Sequence, residues 1–146
     1  MEFPGVCFCF AVHHHPAMKH AAAARLALPF PTIFNLLGPL TNPARADRQV
    51  MGVFADRFVE PMARTLARLG STRAMVLHSR DGMDELSISA PTRIAEVRDG
   101  AVTVSELDPV TLGIPRGPRG ALEVASLPEA AQAVRDVLAG ATGPRR

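Results

Sequence analysis

At 146 residues, with 47% apolar and 21% charged side chains, the chain can bury the core of one compact domain, which excludes wholesale disorder. The 16 basic and 14 acidic residues leave a net charge of +2, so bulk charge points neither to nucleic acid nor to a membrane surface. No apolar stretch reaches bilayer length before His13, Lys19, Arg25 or Pro29 breaks it, and the opening residues lack the basic start of a secretory signal, so a cytoplasmic protein is expected.

Residues 6–12 are continuously apolar and suit a strand buried on both faces. Cys7 and Cys9 would lie on one face of it, along a single chain, a placement that disfavours a disulfide and fits a reducing compartment. Residues 16–28 read as a helix, with Pro16 at its first position, four strongly helix-forming alanines at 21–24, and Pro29 and Pro31 ending it. Residues 32–49, punctuated by Gly38-Pro39 and Asn42-Pro43, read as a structured loop. A second strand is expected at 49–54. Asp56 is then the expected cap of a helix in which Phe58, Met62, Leu66 and Leu69 recur at helical spacing, with Pro61 close to its start and Gly70 closing it. A third strand is expected at 73–78. The alternation of strands and helices predicts an α/β fold with a partial parallel sheet, flanking helices and right-handed crossovers.

The pattern then changes. Residues 93–98 and 101–106 alternate apolar and polar side chains around Asp99-Gly100, which predicts a β-hairpin. Residues 109–118 are rich in proline and glycine and read as irregular, and 129–139 as a closing helix. Three strands and a hairpin that begin almost at Met1 would leave sheet edges open, so the chain reads as part of a domain.

Two clusters point to chemistry. The first is His13-His14-His15-Pro16-Ala17-Met18-Lys19-His20, followed by Arg25, at the carboxyl end of an expected strand and the start of a helix. Ligands of open α/β sheets bind at such ends, where free helix N–H groups favour an anion and an arginine can grip a carboxylate with two hydrogen bonds. Spacing alone favours the plainer reading, a solvated histidine loop and a surface arginine. Zinc is disfavoured, because Cys7 and Cys9 sit inside an apolar strand and no second ligand pair follows at finger spacing. The second cluster is Asp81-Gly82-Met83-Asp84-Glu85, after the strand ending at His78. Three carboxylates in five residues suit a hard, oxygen-seeking cation such as magnesium, and suit an acidic surface turn equally.

The motifs together resemble one family. His15 to His20 reading HPAMKH, Arg25, residues 32–43 reading TIFNLLGPLTNP and residues 81–86 reading DGMDEL follow one another as in anthranilate phosphoribosyltransferases. The resemblance covers nearly the whole chain and is weakest from about residue 90 to 124. It implies a partial α/β domain similar to the C-terminal domain of nucleoside phosphorylases and phosphoribosyltransferases, without the family's helical N-terminal domain. It also implies that the family's glycine-rich pyrophosphate loop, which would precede the first strand, is absent from these residues. Leu122 to Ser126 stand where the family usually has Gly-Gly-Asp, which puts local function there in doubt.

The resemblance further implies transfer of a phosphoribosyl group from phosphoribosyl pyrophosphate to anthranilate, with Arg25 on the anthranilate carboxylate. Asp84 and Glu85 would bind Mg2+, and His15 and Met18 would line the anthranilate channel. A homodimer of the full-length protein is implied as well. Two alternatives stand beside it: a catalytically incompetent fragment or ligand- or partner-binding module of the same fold, and a related transferase or phosphorylase acting on another aromatic acceptor.

Overall fold

The structure, a computed structural model, describes residues 5, 20–30, 32–42 and 44–145. The expected strand at 6–12 lies outside the described residues, as do Cys7, Cys9, His13, His14, His15, Met18 and Lys19. The described elements in order are α1 (Ala22–Ala27), α2 (Phe34–Leu40), β1 (Arg48–Gly52), a 3-10 turn (Asp56–Phe58) and α3 (Val59–Arg68). There follow β2 (Arg73–Ser79), β3 (Thr92–Arg98), β4 (Ala101–Leu107), two further 3-10 turns (Pro109–Leu112 and Arg119–Leu122) and α4 (Leu127–Leu138). Among the described residues the strands form a four-stranded sheet in the order β1-β2-β3-β4.

The sheet is mixed. β1 and β2 pair in parallel, from Arg48 opposite Arg73 to Gly52 opposite Leu77, with α3 as the connection between them. This matches the expected strand, helix, strand order. β2 pairs antiparallel with β3, and β3 antiparallel with β4, so the parallel pattern ends at β2. The hairpin turn falls on Asp99-Gly100, with φ of 49° and 83°. Two consecutive positive φ values produce the mirror-image turn whose twist matches antiparallel strands, and Asp-Gly adopts it at low cost.

One face of the sheet is closed by α3. Val59, Met62, Ala63 and Leu66 recur on one stripe and pack onto Met51, Val53, Ala74, Val76, Ala95 and Val97. Each large side chain in this set contributes roughly 1.5–3 kcal/mol by leaving water. Leu66 is 1% exposed, whereas Leu69 is 62% exposed and caps the helix end, so the expected Phe58-Met62-Leu66-Leu69 stripe is corrected by one position. The helix stops at Arg68, and Gly70 takes a φ of 90° to turn the chain into β2, as its type requires. Pro61 falls in the first turn of α3, where its missing N–H would have had no intrahelical partner.

Two other expectations are corrected and a third is met over the residues described. Residues 34–40 form a helix rather than a loop, with Pro39 inside it. Leu36 and Leu40 pack against the sheet core, and that packing outweighs the breaker character of Gly38-Pro39. The helix ends on Thr41, whose hydroxyl donates to the Leu37 carbonyl at 2.9 Å, and Asn42 then accepts the Ala44 N–H at 2.9 Å to form a turn. The helix expected at 16–28 is seen over Ala22–Ala27, and residues 16–19 lie outside the described residues. The segment at 109–118 is only partly irregular: Asp108 accepts the Val110 N–H at 3.1 Å and starts a 3-10 turn that Gly113 closes at φ 75°.

α4 opens on Ser126, which accepts the Glu129 N–H, while the Glu129 carboxylate reaches back to the Ala125 N–H at 2.8 Å. No residue of α4 is buried, and Leu127 is 83% exposed. Among the described residues no helix is long and apolar enough to cross a membrane.

Candidate functional site

β1 and β2 run side by side; β1 ends at Gly52, opposite Leu77, and β2 runs two residues further to Ser79. The loop from β2 to β3, residues 80–91, folds back over that end. The Ser79 N–H donates to the Met83 carbonyl at 2.8 Å, the Gly82 N–H to the Ser79 carbonyl at 3.0 Å, and the Arg80 N–H to the Pro91 carbonyl at 2.9 Å. Gly82 takes a φ of 90°, which the tight return needs. The result sets Asp84 directly over Gly52. A Cβ on Gly52 would overlap the Asp84 carbonyl oxygen and lie 2.8 Å from its carbonyl carbon. The absence of a side chain at Gly52 is therefore what admits the acidic loop to the carboxyl end of β1.

The three carboxylates of the loop have different fates. Asp81 is enclosed by donors: the Ser87 and Ser89 hydroxyls give hydrogen bonds of 2.6 and 2.7 Å to its Oδ2, and the Met83 N–H reaches its Oδ1 at 3.3 Å. Burial pushes this carboxyl up, but the hydroxyls of Ser87, Ser89 and Ser79 and the Met83 amide outweigh burial and hold it well below the usual carboxylate range. Asp84 and Glu85 are exposed, and among the described residues neither has a basic partner. The Glu85 carboxyl is pushed up by burial and then by the charge of Asp84 beside it. Two adjacent carboxylates that repel one another at a strand end are a donor set that a divalent cation would relieve. Among the described residues no three His, Cys, Asp or Glu side chains cluster as a complete ligand set. Mg2+ does not need one, since it typically takes one or two carboxylates and fills its remaining positions with water and phosphate oxygens.

The other acid at this end, Asp56, is committed elsewhere. Sequence order makes it a helix cap, but its side chain makes no cap hydrogen bond. It pairs instead with Arg93 at 2.8 Å and with Arg80 at 3.4 Å. Arg80 also donates to Glu106 at 2.8 Å, and that contact, with Asp56 adding to it, raises the guanidinium pKa further. These pairs tie the turn after β1 to β3 and β4. His78, buried near the end of β2, lies 2.7 Å through Nδ1 from the Val53 carbonyl and links the two parallel strands just beneath the loop.

The structure thus brings Asp84 and Glu85 together on one loop. Arg25 is a residue of α1, and His15 and Met18 lie outside the described residues. Sequence reasoning passed over Gly52, Ser87, Ser89 and Arg119, all of which support the loop. The Ser87-Ile88-Ser89 pattern was the available signal, because a serine hydroxyl readily closes a short turn onto the N–H two residues on, as Ser87 does with Ser89 at 2.9 Å. Arg119 donates to the Asp81 carbonyl at 2.7 Å from a segment that offers no sequence signal of such a role.

The chain is similar to known proteins in sequence and in fold. The family described as "Glycosyl transferase family, a/b domain" matches residues 1–146. The chain is 50% identical over all 146 residues to an anthranilate phosphoribosyltransferase of Thioalkalivibrio sulfidiphilus, covering 43% of that protein. It is 49% identical over 140 residues, 96% of the chain, to one of Rubrobacter xylanophilus, covering 41% of it. The chain therefore spans less than half the length of these relatives. In fold it is similar to the Saccharomyces cerevisiae anthranilate phosphoribosyltransferase in complex with 4-fluoroanthranilate, with a TM-score of 0.75 and 22% identity over 84% of this chain and 35% of that one. The yeast enzyme in complex with PRPP and Mg gives a TM-score of 0.64 and 26% identity over 71% of this chain and 29% of that one.

Proposed function

Since the chain belongs to the glycosyl transferase family, α/β domain, we propose that it is the acceptor- and metal-binding part of an anthranilate phosphoribosyltransferase. The full-length protein would join the amine of anthranilate to the anomeric carbon of phosphoribosyl pyrophosphate, release pyrophosphate, and serve tryptophan biosynthesis. The observation that supports this most directly is the pair Asp84 and Glu85, without basic partners among the described residues and set by Gly52 over the carboxyl end of the parallel strands. Open α/β sheets bind their ligands at such ends. Relatives that share half of this chain's residues act under that name, and a yeast neighbour holds PRPP and Mg.

In this reading Asp84 and Glu85 hold Mg2+. Bound there, the ion would neutralise charge on the departing pyrophosphate. Arg25 pairs with the carboxylate of anthranilate and fixes which atom of the acceptor faces the ribose. His15 and Met18 line the acceptor channel. The anomeric carbon becomes cation-like as its bond to pyrophosphate lengthens, so orientation and charge suffice, and no residue here is assigned as a general acid or base. The full-length protein is read as a cytoplasmic homodimer, a setting that the spacing of Cys7 and Cys9, unsuited to a disulfide, supports.

The test is an assay of the full-length protein for consumption of anthranilate with release of pyrophosphate as Mg2+ is varied. Product that depends on Mg2+, and that falls by at least tenfold in Asp84→Asn and Glu85→Gln, is the expected outcome. A folded full-length protein that makes no phosphoribosyl anthranilate would refute the assignment.

A further inference from the structure

We propose that Asp81 is a positioning residue for the divalent cation: its carboxylate ties together the two arms of the loop whose tip bears Asp84 and Glu85. The inference rests on the metal reading given above. The loop departs from β2 at Ser79 and enters β3 at Thr92. One oxygen of Asp81 accepts the Met83 N–H, on the arm that leads into Asp84. The other accepts the hydroxyls of Ser87 and Ser89, on the arm that leads away from Glu85. The Ser89 N–H donates to the Ser87 hydroxyl at 2.9 Å, and the Ser87 N–H donates to the Thr92 hydroxyl at 3.3 Å, so the outgoing arm is fixed to β3. Ser87 is buried.

A second layer holds the same knot from outside. Arg119 donates to the Asp81 carbonyl at 2.7 Å and Arg116 to the Ser89 carbonyl at 3.3 Å, while Arg116 is itself braced on Asp108. The Gly117 N–H donates to the Ile88 carbonyl at 3.2 Å, and a Cβ at Gly117 would press on the Ile88 side chain at 2.7 Å. Residues 116–119 therefore close down on the arms of the loop and leave its tip, Asp84-Glu85, exposed. Asp81 offers the metal less than Asp84 or Glu85 do, since three hydrogen bonds already draw on its two oxygens. Its chemistry is that of an anchor, which limits how far the Asp84 and Glu85 backbone can drift when the cation and its phosphate ligand arrive. Groups that orient metal ligands in this way typically contribute 10- to 100-fold in metal affinity.

The experiment compares the full-length wild type with Asp81→Asn and with the Ser87→Ala/Ser89→Ala pair. Mn2+ is titrated with pyrophosphate present and anthranilate absent, and the free ion is read by EPR. The rate is then measured against Mg2+ concentration. The expected result is about a 10- to 100-fold weaker Mn2+ affinity. The Mg2+ requirement should rise in parallel, the KM for anthranilate should be unmoved, and the rate should return at high Mg2+. Should Asp81→Asn fail to fold, the serine pair decides by the same readings. Unchanged Mn2+ affinity in a folded variant overturns the positioning role, and so does a fall in kcat that no Mg2+ concentration restores. Asp84→Asn and Glu85→Gln are run alongside. If they leave the Mn2+ curve unmoved, the metal reading itself fails and the role of Asp81 fails with it; if they shift it and Asp81→Asn does not, only the positioning role is lost.

Discussion

Gly52→Ala is the smallest change that should separate the acidic loop from the sheet. Gly52 ends β1 with no positive φ, so alanine meets no backbone strain there, and strand propensity alone would favour it. Space is the obstacle. The new Cβ would overlap the Asp84 carbonyl oxygen and stand 2.8 Å from the carbonyl carbon and 3.0 Å from the Asp84 Cβ. Ordinary contact begins near 3.4 Å, so the carbon alone must retreat by about 0.6 Å and the oxygen by more. The atoms in the way are largely backbone, and that backbone is held by the Ser79–Met83 hydrogen bond and by Asp81, so it cannot yield as a flexible side chain would. Overpacking of this kind costs about 1–3 kcal/mol. Displacing a catalytic group by 1 Å can cost about 100-fold in rate. Urea unfolding should show a lower midpoint, and the rate of the full-length protein should fall by roughly 10- to 100-fold with a raised Mg2+ requirement. Gly52→Ala with wild-type midpoint and wild-type Mg2+ dependence would show that Asp84 does not sit where this reasoning puts it.

Four further outcomes are expected. Leu66→Ala should cost about 2–5 kcal/mol in urea unfolding, and Leu69→Ala no more than about 0.5 kcal/mol, because the first is buried under the sheet and the second is exposed; equal costs would contradict the stripe assigned to α3. The Asp81 carboxyl is held below its ordinary value of 3.8, so its stabilisation is full above that pH and is lost as pH falls toward the folded-state value. The stability gap between wild type and Asp81→Asn should therefore be present at pH 7 and narrow only below about pH 4; a gap that narrows on raising the pH would refute the hydrogen-bonding account. Asp56→Ala should cost about 1 kcal/mol or less and lose its effect in high salt, since its arginine pairs are partly exposed. Arg25→Ala should raise the KM for anthranilate by about 10- to 100-fold, the worth of a hydrogen bond to a charged group, and leave that for phosphoribosyl pyrophosphate nearly unchanged; equal shifts would remove Arg25 from the acceptor site.

What could be read from sequence follows the range of the forces involved. The hairpin was legible because Asp99 and Gly100 supply two positive φ values within the turn itself. The stripe of α3 was legible to within a residue because period and burial coincide over ten residues. The helix at Phe34–Leu40 was not: Gly38 and Pro39 signal a loop locally, and only the sheet under Leu36 and Leu40 reverses that signal. Asp56 misled for the same reason, since its partners lie 24 and 37 residues away, beyond any cap motif. At the candidate site the charges of Asp84 and Glu85 announce themselves, whereas the need for Gly52 is visible only once Asp84 has been brought back over β1.

The acidic run Asp81-Gly82-Met83-Asp84-Glu85 shows that equal charge in sequence does not mean equal use. Asp81 has more hydrogen-bond donors than a free carboxylate meets in an open turn, and its ionised form is stabilised without any ligand. Glu85, two residues from the Met83 amide that helps hold Asp81, is pushed the other way by burial and by Asp84. Only the second kind of carboxylate gains from a cation, because only there is the ionised form still short of a partner. A fold that spent its donors on Asp84 or Glu85 instead would have the same net charge and a far weaker hold on a metal. The division follows from where Ser87 and Ser89 stand: the chain bends after Ser87, the Ser89 N–H closes onto the Ser87 hydroxyl at 2.9 Å, and both hydroxyls turn back toward Asp81 and away from the tip of the loop.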